Sequence, residues 1–226
     1  MSFKYDIHVH TSEVSRCGQS QAADQVRAYI DAGYDGIMIT DHYYADWFDD
    51  VEGSWDEKID RYLEGYKNAV RTAKTIKDDF DVLLGIEIRF LENGNDYLVF
   101  GVTEEFLRKN REMYRLGIRE FKKLTEKNGL LVMQAHPFRE WCIVQPAEFL
   151  DGIETENAHE GHNNNNYKAR EYADLNHLRK IGGGDCHDCA QAGKAGIIVG
   201  RRLRSSEELR DILAEDDYKV ISVTND

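Results

Sequence analysis

The sequence predicts an α/β fold of the compact β/α-barrel type, and three observations point there. Short apolar runs typical of buried strands alternate with segments of helical period along the whole chain. Such alternation builds right-handed crossovers around a mainly parallel sheet. The chain has 226 residues, and roughly seven such units in that length suit an irregular closed barrel better than an open doubly wound sheet. Finally, five of the eight histidines (His8, His10, His42, His136 and His187) stand where an apolar strand ends, and β/α barrels carry their chemistry at that mouth.

The first strand, residues 5–10, projects Asp6, His8 and His10 to one side and Ile7 and Val9 to the other, because side chains alternate along a strand. Ser20 then caps a helix over residues 20–32, with Ala23, Val26, Tyr29 and Ile30 as its apolar stripe and Gly33 beyond its end. Residues 36–40 form a buried strand that delivers Asp41-His42. Residues 43–55 are aromatic and acidic without periodicity, as expected of packing or of a lid over a mouth. Ser54 and Glu57 make a capping box for a helix to about Lys77. A strand over 81–86 carries Glu87. Asn93-Gly94 signals a hairpin, so 97–102 returns as a strand with Asp96 at its start. Helix over 104–128, bent at Gly117, leads to a strand ending in His136-Pro137. A strand over 152–156, an asparagine-rich loop with His159 and His162, and a helix to about Lys180 follow. Residues 181–184 then deliver Asp185-Cys186-His187. A short strand at 197–199, a helix capped by Ser205 with Glu208, and a strand over 219–223 close the chain.

No Pro/Gly linker, repeat or low-complexity tract divides residues 1–226, which read as a single domain. With 41% hydrophobic and 31% charged residues the chain is an ordinary soluble globule. No run approaches the roughly 18 apolar residues of a membrane span, and the first residues enter a strand instead of a signal peptide. Cys17, Cys142, Cys186 and Cys189 are too scattered for a disulfide framework, and a reducing cytoplasm is the expected compartment. Cys186 and Cys189 read as plain thiols. The net charge of −13 disfavours a nucleic-acid partner, whose phosphates want a positive surface.

Neutral imidazoles with carboxylates are ligands for zinc, iron or manganese. His8, His10, His42, Glu87, His136, Asp185 and His187 are too many for one ion that must keep a water. Two or three divalent ions, bridged by a carboxylate such as Glu87, fit better. Adjacent ions suit displacement at phosphorus: one lowers the pKa of a bound water to make hydroxide, and its neighbours hold the phosphate.

These residues resemble the polymerase-and-histidinol-phosphatase (PHP) superfamily. His8-Val9-His10-Thr11 is similar to its first motif, Thr40-Asp41-His42 to its second, His136-Pro137 to its third, and Gly184-Asp185-Cys186-His187 to its fourth. Glu87, in Gly85-Ile86-Glu87, matches its bridging glutamate. The resemblance implies a distorted seven-stranded β/α barrel, a centre of two or three metals, and phosphoester hydrolysis. It makes His8, His10, Glu87 and Asp185 ligands of one ion, lets Glu87 bridge to a second held also by His136, and gives a third to His42 and His187. The catalytic set it implies is His8, His10, Glu87, Asp185 and His187.

Two positions depart from the family pattern. Shortly after the first motif, where a histidine or aspartate is common, stand Glu13, Arg16 and Cys17. Arginine cannot ligate a cation, and Glu13 is the expected substitute. In the strand after the glutamate the substitute is Asp96. Arg89, on the Glu87 face of its strand, Arg139, three residues after His136, and Asp41 are the expected substrate contacts, with Asp41 also placed to orient an imidazole. The function expected is hydrolysis of a small phosphorylated metabolite. A nuclease on the same centre and an amidohydrolase are the alternatives; a basic track would favour the first, whereas a glutamate at position 87 speaks against the second.

Overall fold

β1 (Phe3–Val9) opens the chain, and a computed structural model describes residues 1–223. It is followed by α1 (Ala22–Asp31), β2 (Gly36–Ile39), the two-residue β3 (His42–Tyr43), α2 (Ala45–Asp50), α3 (Trp55–Tyr62) and α4 (Glu64–Ile76). Next come β4 (Asp81–Leu84), β5 (Ile86–Arg89), β6 (Asp96–Phe100), α5 (Glu104–Lys109) and α6 (Gly117–Asn128). The remainder is β7 (Leu131–Gln134), β8 (Gly152–Asn157), α7 (Asn166–Asn176), β9 (Arg179–Gly183), β10 (Gly196–Val199), α8 (Ser206–Glu215) and β11 (Tyr218–Ile221). The strands lie in two hydrogen-bonded sets, β11-β10-β1-β2-β4 and β3-β5-β6-β7-β8-β9.

The sets meet at two seams. Gly85 N donates to Ile39 O at 2.9 Å and Glu87 N to Asp41 O at 3.2 Å, so β2 and β4 pass into β3 and β5. At the other seam His10 N donates to Cys186 O and Cys186 N to His8 O, at 3.0 and 3.2 Å. Gly183 makes the second approach possible: a Cβ there would lie 2.4 Å from the Cβ of His8, closer than any side chain tolerates.

The sheet is less parallel than expected, since β1/β10, β10/β11, β5/β6 and β6/β7 run antiparallel. A tight turn can join only antiparallel strands, and the Asn93-Gly94 connection fixes β5/β6 in that sense. The expected first-strand alternation also fails. A register shift between Asp6 and Val9 in the β1/β2 pairing turns Asp6 away from His8 and His10. Its carboxylate instead accepts the Tyr29 hydroxyl of α1 at 2.7 Å and the Gly184 amide. Burial pushes this acid up to about 6.

Local signals explain several helix ends. Ser54 and Glu57 form the capping box of α3, and Ser205 caps α8, each cap worth about 1 kcal/mol. Gly117, at φ +74°, stands where the expected long helix breaks into α5 and α6. Ser20 does not cap α1: its hydroxyl accepts from Cys189 N, and the carboxylate of Glu13 accepts the Ala22 amide instead. The aromatic stretch 43–55 is core, not lid. Tyr43 and Phe48 are fully buried and Trp55 nearly so, packed with Tyr62 and Tyr114.

Candidate metal centre

The end of β1, the first residues of β3 and β5, and the segments that follow β7 and β9 bring one cluster of side chains together. Glu87 lies at its middle. Its Oε1 is 3.2 Å from His8 Nε2 and 3.1 Å from His136 Nε2, and its Oε2 is 3.5 Å from His10 Nε2 and 3.0 Å from His42 Nε2. Asp185 Oδ1 stands 3.4 Å from His8 Nε2 and 3.2 Å from His10 Nε2. The His187 ring stacks on His10 with centroids 4.2 Å apart.

Backbone strain helps aim two of these groups. His136 has φ +28° and Asp185 φ +47°, a region that non-glycine residues enter at a cost of about 1–3 kcal/mol and mostly at functional sites. The pairing with β1 on one side of Asp185 and a hydrogen bond to the His136 amide hold the conformations.

The donor set fits divalent cations. His8 Nε2 and His10 Nε2 are wholly buried and have no hydrogen-bond partner, although a buried polar nitrogen left unpaired costs about 1–3 kcal/mol. Both point at the Glu87 and Asp185 oxygens. Donor atoms lie close enough for an ion in His10/His42/His187, His8/His136/Asp185, His8/His10/Glu87 and Glu87/Asp96/His136. Glu87 belongs to two of these groups, as a bridging carboxylate must.

The electrostatics hold the carboxylates charged, and against the pull of burial the neighbouring carboxylates and Cys thiols raise His8, His42, His136 and His187 above the imidazole range. Burial would raise Glu87 and Asp185, yet the charge of His8 and the hydrogen bonds of His136 and His42 hold Glu87 well below the carboxylate range. His8 and Arg139 do the same for Asp185. Burial, then His187 and His42, press His10 well below the imidazole range, which leaves it neutral with a free lone pair.

The residues behind the cluster orient it. Asp41 accepts the Thr11 amide and the Thr11 and Ser15 hydroxyls, each at 2.7 Å, and Ser15 Oγ meets His10 Nδ1 at 3.2 Å. Asp41 is thus a buried orienting group, not the substrate contact expected for it. Glu13 is also placed elsewhere: both its oxygens take the Ala22 amide and Oε1 takes Asn68. A carboxylate at the positive end of α1 is well placed there, and the geometry leaves it outside the cluster. Cys17, weighed with it, lies nearer, its Sγ 3.6 Å from His42 Nδ1.

Asp96 does reach the cluster, with Oδ2 3.8 Å from His136 Nε2. Arg139 is buried, donating to Asp185 at 2.5 Å, to Asn157 at 3.1 Å and to Asn164 at 2.8 Å. Arg89, Arg139 and Trp141 line a hollow of about 240 Å³ over the cluster, together with His159 and His162, two loop histidines. Sequence reasoning missed three residues: Ser15, Asn157, and Glu154, whose oxygens bond the His8 ring and the His136 amide. Glu154 is one acid among alternating ones in Gly152-Ile153-Glu154-Thr155-Glu156, and nothing local distinguishes it from a solvated strand residue.

A buried multi-histidine, multi-carboxylate cluster at strand ends of a mixed α/β fold defines a metal-dependent hydrolase type of site. The PHP domain model matches residues 6–215, and the chain belongs to the PHP domain family. No curated protein matches it in sequence. In fold it is similar to PsfC from Pseudomonas syringae, at 15% identity over 91% of this chain and 85% of that one, TM-score 0.61. It is also similar to a protein from Bifidobacterium adolescentis provisionally described as a metal-dependent phosphoesterase, at 16% identity over 94% and 96%, TM-score 0.53. An amidohydrolase from Chromobacterium violaceum, with bound sulfate, shares 12% identity over 99% and 100%, TM-score 0.55. No helix among the described residues is long and apolar enough to cross a membrane.

Proposed function

We propose that this chain is a metal-dependent phosphatase of small phosphomonoesters, built as one domain over residues 1–226 in a distorted seven-fold β/α barrel with two or three divalent ions (zinc, manganese or iron) at its carboxyl mouth. The observation that carries this reading is Glu87, one buried carboxylate within 3.5 Å of four imidazole nitrogens. A carboxylate so placed would be able to join adjacent cations. The two seams between the sheets support barrel closure.

His8, His10, Glu87 and Asp185 would hold one ion, Glu87, Asp96 and His136 a second, and His42 with His187 a third. Bound divalent ions supply Lewis acidity toward a phosphate and lower the pKa of water. The chain's own groups do the rest. Arg139 holds the second oxygen of Asp185, so that carboxylate presents its first to the cluster. Arg89 and Arg139 line the hollow beside the carboxylates they pair with, Asp96 and Asp185, and their remaining N–H groups are the donors a phosphate there would meet. His10 stays neutral and aimed through Ser15 and Asp41. The expected partner is a small phosphorylated metabolite, because a hollow of about 240 Å³ in a chain of net charge −13 admits a compact dianion more readily than a polynucleotide.

The amidohydrolase neighbour keeps hydrolysis of an amide as a second reading, since its fold is similar to this one over the whole of both chains. The deciding experiment starts from protein purified without chelator, whose metal content is measured. It is then assayed with zinc, manganese or iron on three panels: small monoesters, oligonucleotides with and without a 5′-phosphate, and amides. The highest kcat/KM is expected on a monoester. An oligonucleotide or amide turned over far faster than every monoester would replace the phosphatase reading.

A further inference from the structure

We propose that Glu154 is a positioning residue that sets two histidine ligands of the centre at once, an inference that rests on the metal-dependent reading above. Its side chain is almost wholly buried on β8. Oε1 is 2.9 Å from His8 Nδ1. Oε2 accepts the backbone amide of His136 at 2.9 Å and the Asn157 amide at 2.9 Å. One carboxylate therefore touches the ring of a ligand from β1 and the backbone of a ligand that follows β7.

The two contacts do different work. A ring nitrogen that donates to a carboxylate keeps its proton, so Nε2 is the only nitrogen His8 can offer a cation. That Nε2 is the one facing Glu87 and Asp185 and lacking any hydrogen-bond partner. At His136 the bond restrains a residue at φ +28°, a conformation a histidine does not hold by itself. Its ring stands with Nε2 3.1 Å from Glu87 Oε1. Three N–H donors converge on the two oxygens of Glu154, and only a carboxylate accepts them all. A glutamine keeps the volume but has one acceptor oxygen, so it serves His8 or the His136 amide and turns an N–H donor on the other.

Glu154→Gln is therefore compared with Glu156→Gln, two residues along the same strand, where the side chain pairs with Arg170 instead. Each protein is stripped, reloaded with cobalt or zinc, and read by elemental analysis, by metal-binding titration and by the visible cobalt spectrum. E154Q is expected to bind metal at least tenfold more weakly, the usual cost of losing a carboxylate behind a histidine ligand, with an altered cobalt spectrum. E156Q is expected to match the parent protein. A folded E154Q with unchanged stoichiometry, affinity and spectrum overturns the proposal. If E154Q does not fold, the ¹⁵N spectrum of the zinc-loaded parent decides, with His8 assigned by the signals lost in His8→Gln. A protonated Nδ1 and a metal-bound Nε2 are expected; metal on Nδ1 overturns the inference. A parent chain that takes up no metal removes the metal reading itself, which separates that failure from this one.

Discussion

Arg89 grips Asp96 with both ends of its guanidinium, Nε donating to Oδ1 at 2.8 Å and Nη2 to Oδ2 at 2.7 Å. The Tyr44 hydroxyl adds a third bond to Oδ1 at 2.7 Å, and Arg89 lies over the Tyr44 ring. The carboxylate that completes the Glu87/Asp96/His136 group is thus already satisfied by a cation of the chain itself. An ion at that group would have to share Asp96 with Arg89, and the proposed centre would hold it most weakly.

Arg89→Met should therefore strengthen this ion. Hydrogen bonds to a charged group are worth about 1.5–3 kcal/mol, and releasing part of that to the ion predicts roughly tenfold tighter binding. Graded chelation followed by elemental analysis checks it. In the parent protein one ion per chain should leave first, and in R89M that first step should move to higher chelator. If R89M loses the ion as readily as the parent, or more so, the competition between Arg89 and the ion is absent.

Asp185 faces Arg139 as well as the imidazoles, and this splits the effects of two substitutions. Asp185→Ala removes the partner of a guanidinium that is only 6% exposed, and an uncompensated buried charge costs about 3–5 kcal/mol. Asp185→Asn keeps an acceptor for Arg139 and should lose far less stability. Both should reduce turnover by at least about 100-fold, the size of a lost electrostatic contact at the reacting centre. His10→Ala should do the same to turnover. Urea unfolding beside steady-state assays tests this, and a D185N enzyme with near-parental turnover would contradict the role given to Asp185.

The cluster could be read from the sequence because strand ends announce themselves: an apolar run stops and a histidine or acid follows. His8, His10, His42, Glu87, His136, Asp185 and His187 all converge as that pattern implied. Residues in front of and behind the cluster could not be read in this way. Glu13 caps α1 because the chain doubles back at Ser12, where Ser12 N donates to Ser20 O, a contact no local motif encodes. Asp6 leaves the histidine face through a register shift between β1 and β2, and strand alternation is blind to such shifts. Glu154 acquires its role only when β1, β7 and β8 are side by side. The antiparallel placing of β10 against β1 was hidden for the same reason, since pairing sense depends on the connection and not on the strand's own residues.

His159 offers a test of the mouth's electrostatics. Burial, with further push from Arg139, His187 and His162, brings it down to about 4, although Asp185 pulls the other way. A depressed imidazole is neutral in the folded chain while its unfolded counterpart binds a proton below about 6.5. The unfolded state then carries the extra proton between those values, and stability falls as pH drops through that window. His159→Gln should remove up to one proton's worth of this slope. Urea unfolding of metal-free protein between pH 6.5 and 4, parent against H159Q, measures it; parallel curves would mean that His159 titrates normally in the fold.

The last prediction concerns Glu87. Each of its oxygens meets two imidazole nitrogens, His8 and His136 on one and His10 and His42 on the other. A glutamine at this position keeps the volume, so the surrounding Ile86, Ile88 and Leu98 packing should survive. It changes the chemistry completely: one oxygen becomes an NH₂ group that cannot bind a cation and turns its protons on two imidazole lone pairs. A single amide oxygen cannot join two ions as a carboxylate does. Glu87→Gln should therefore retain fewer ions per chain than the parent, by at least one, when both are loaded and dialysed together. The ion left behind should depend on His8, His10 and Asp185, so adding Asp185→Asn to Glu87→Gln should strip the chain of metal. Elemental analysis of the parent, the single and the double variant gives the count directly. A Glu87→Gln protein that keeps the parental number of ions would show that Glu87 does not bridge, and the centre would have to be redrawn as separate mononuclear sites.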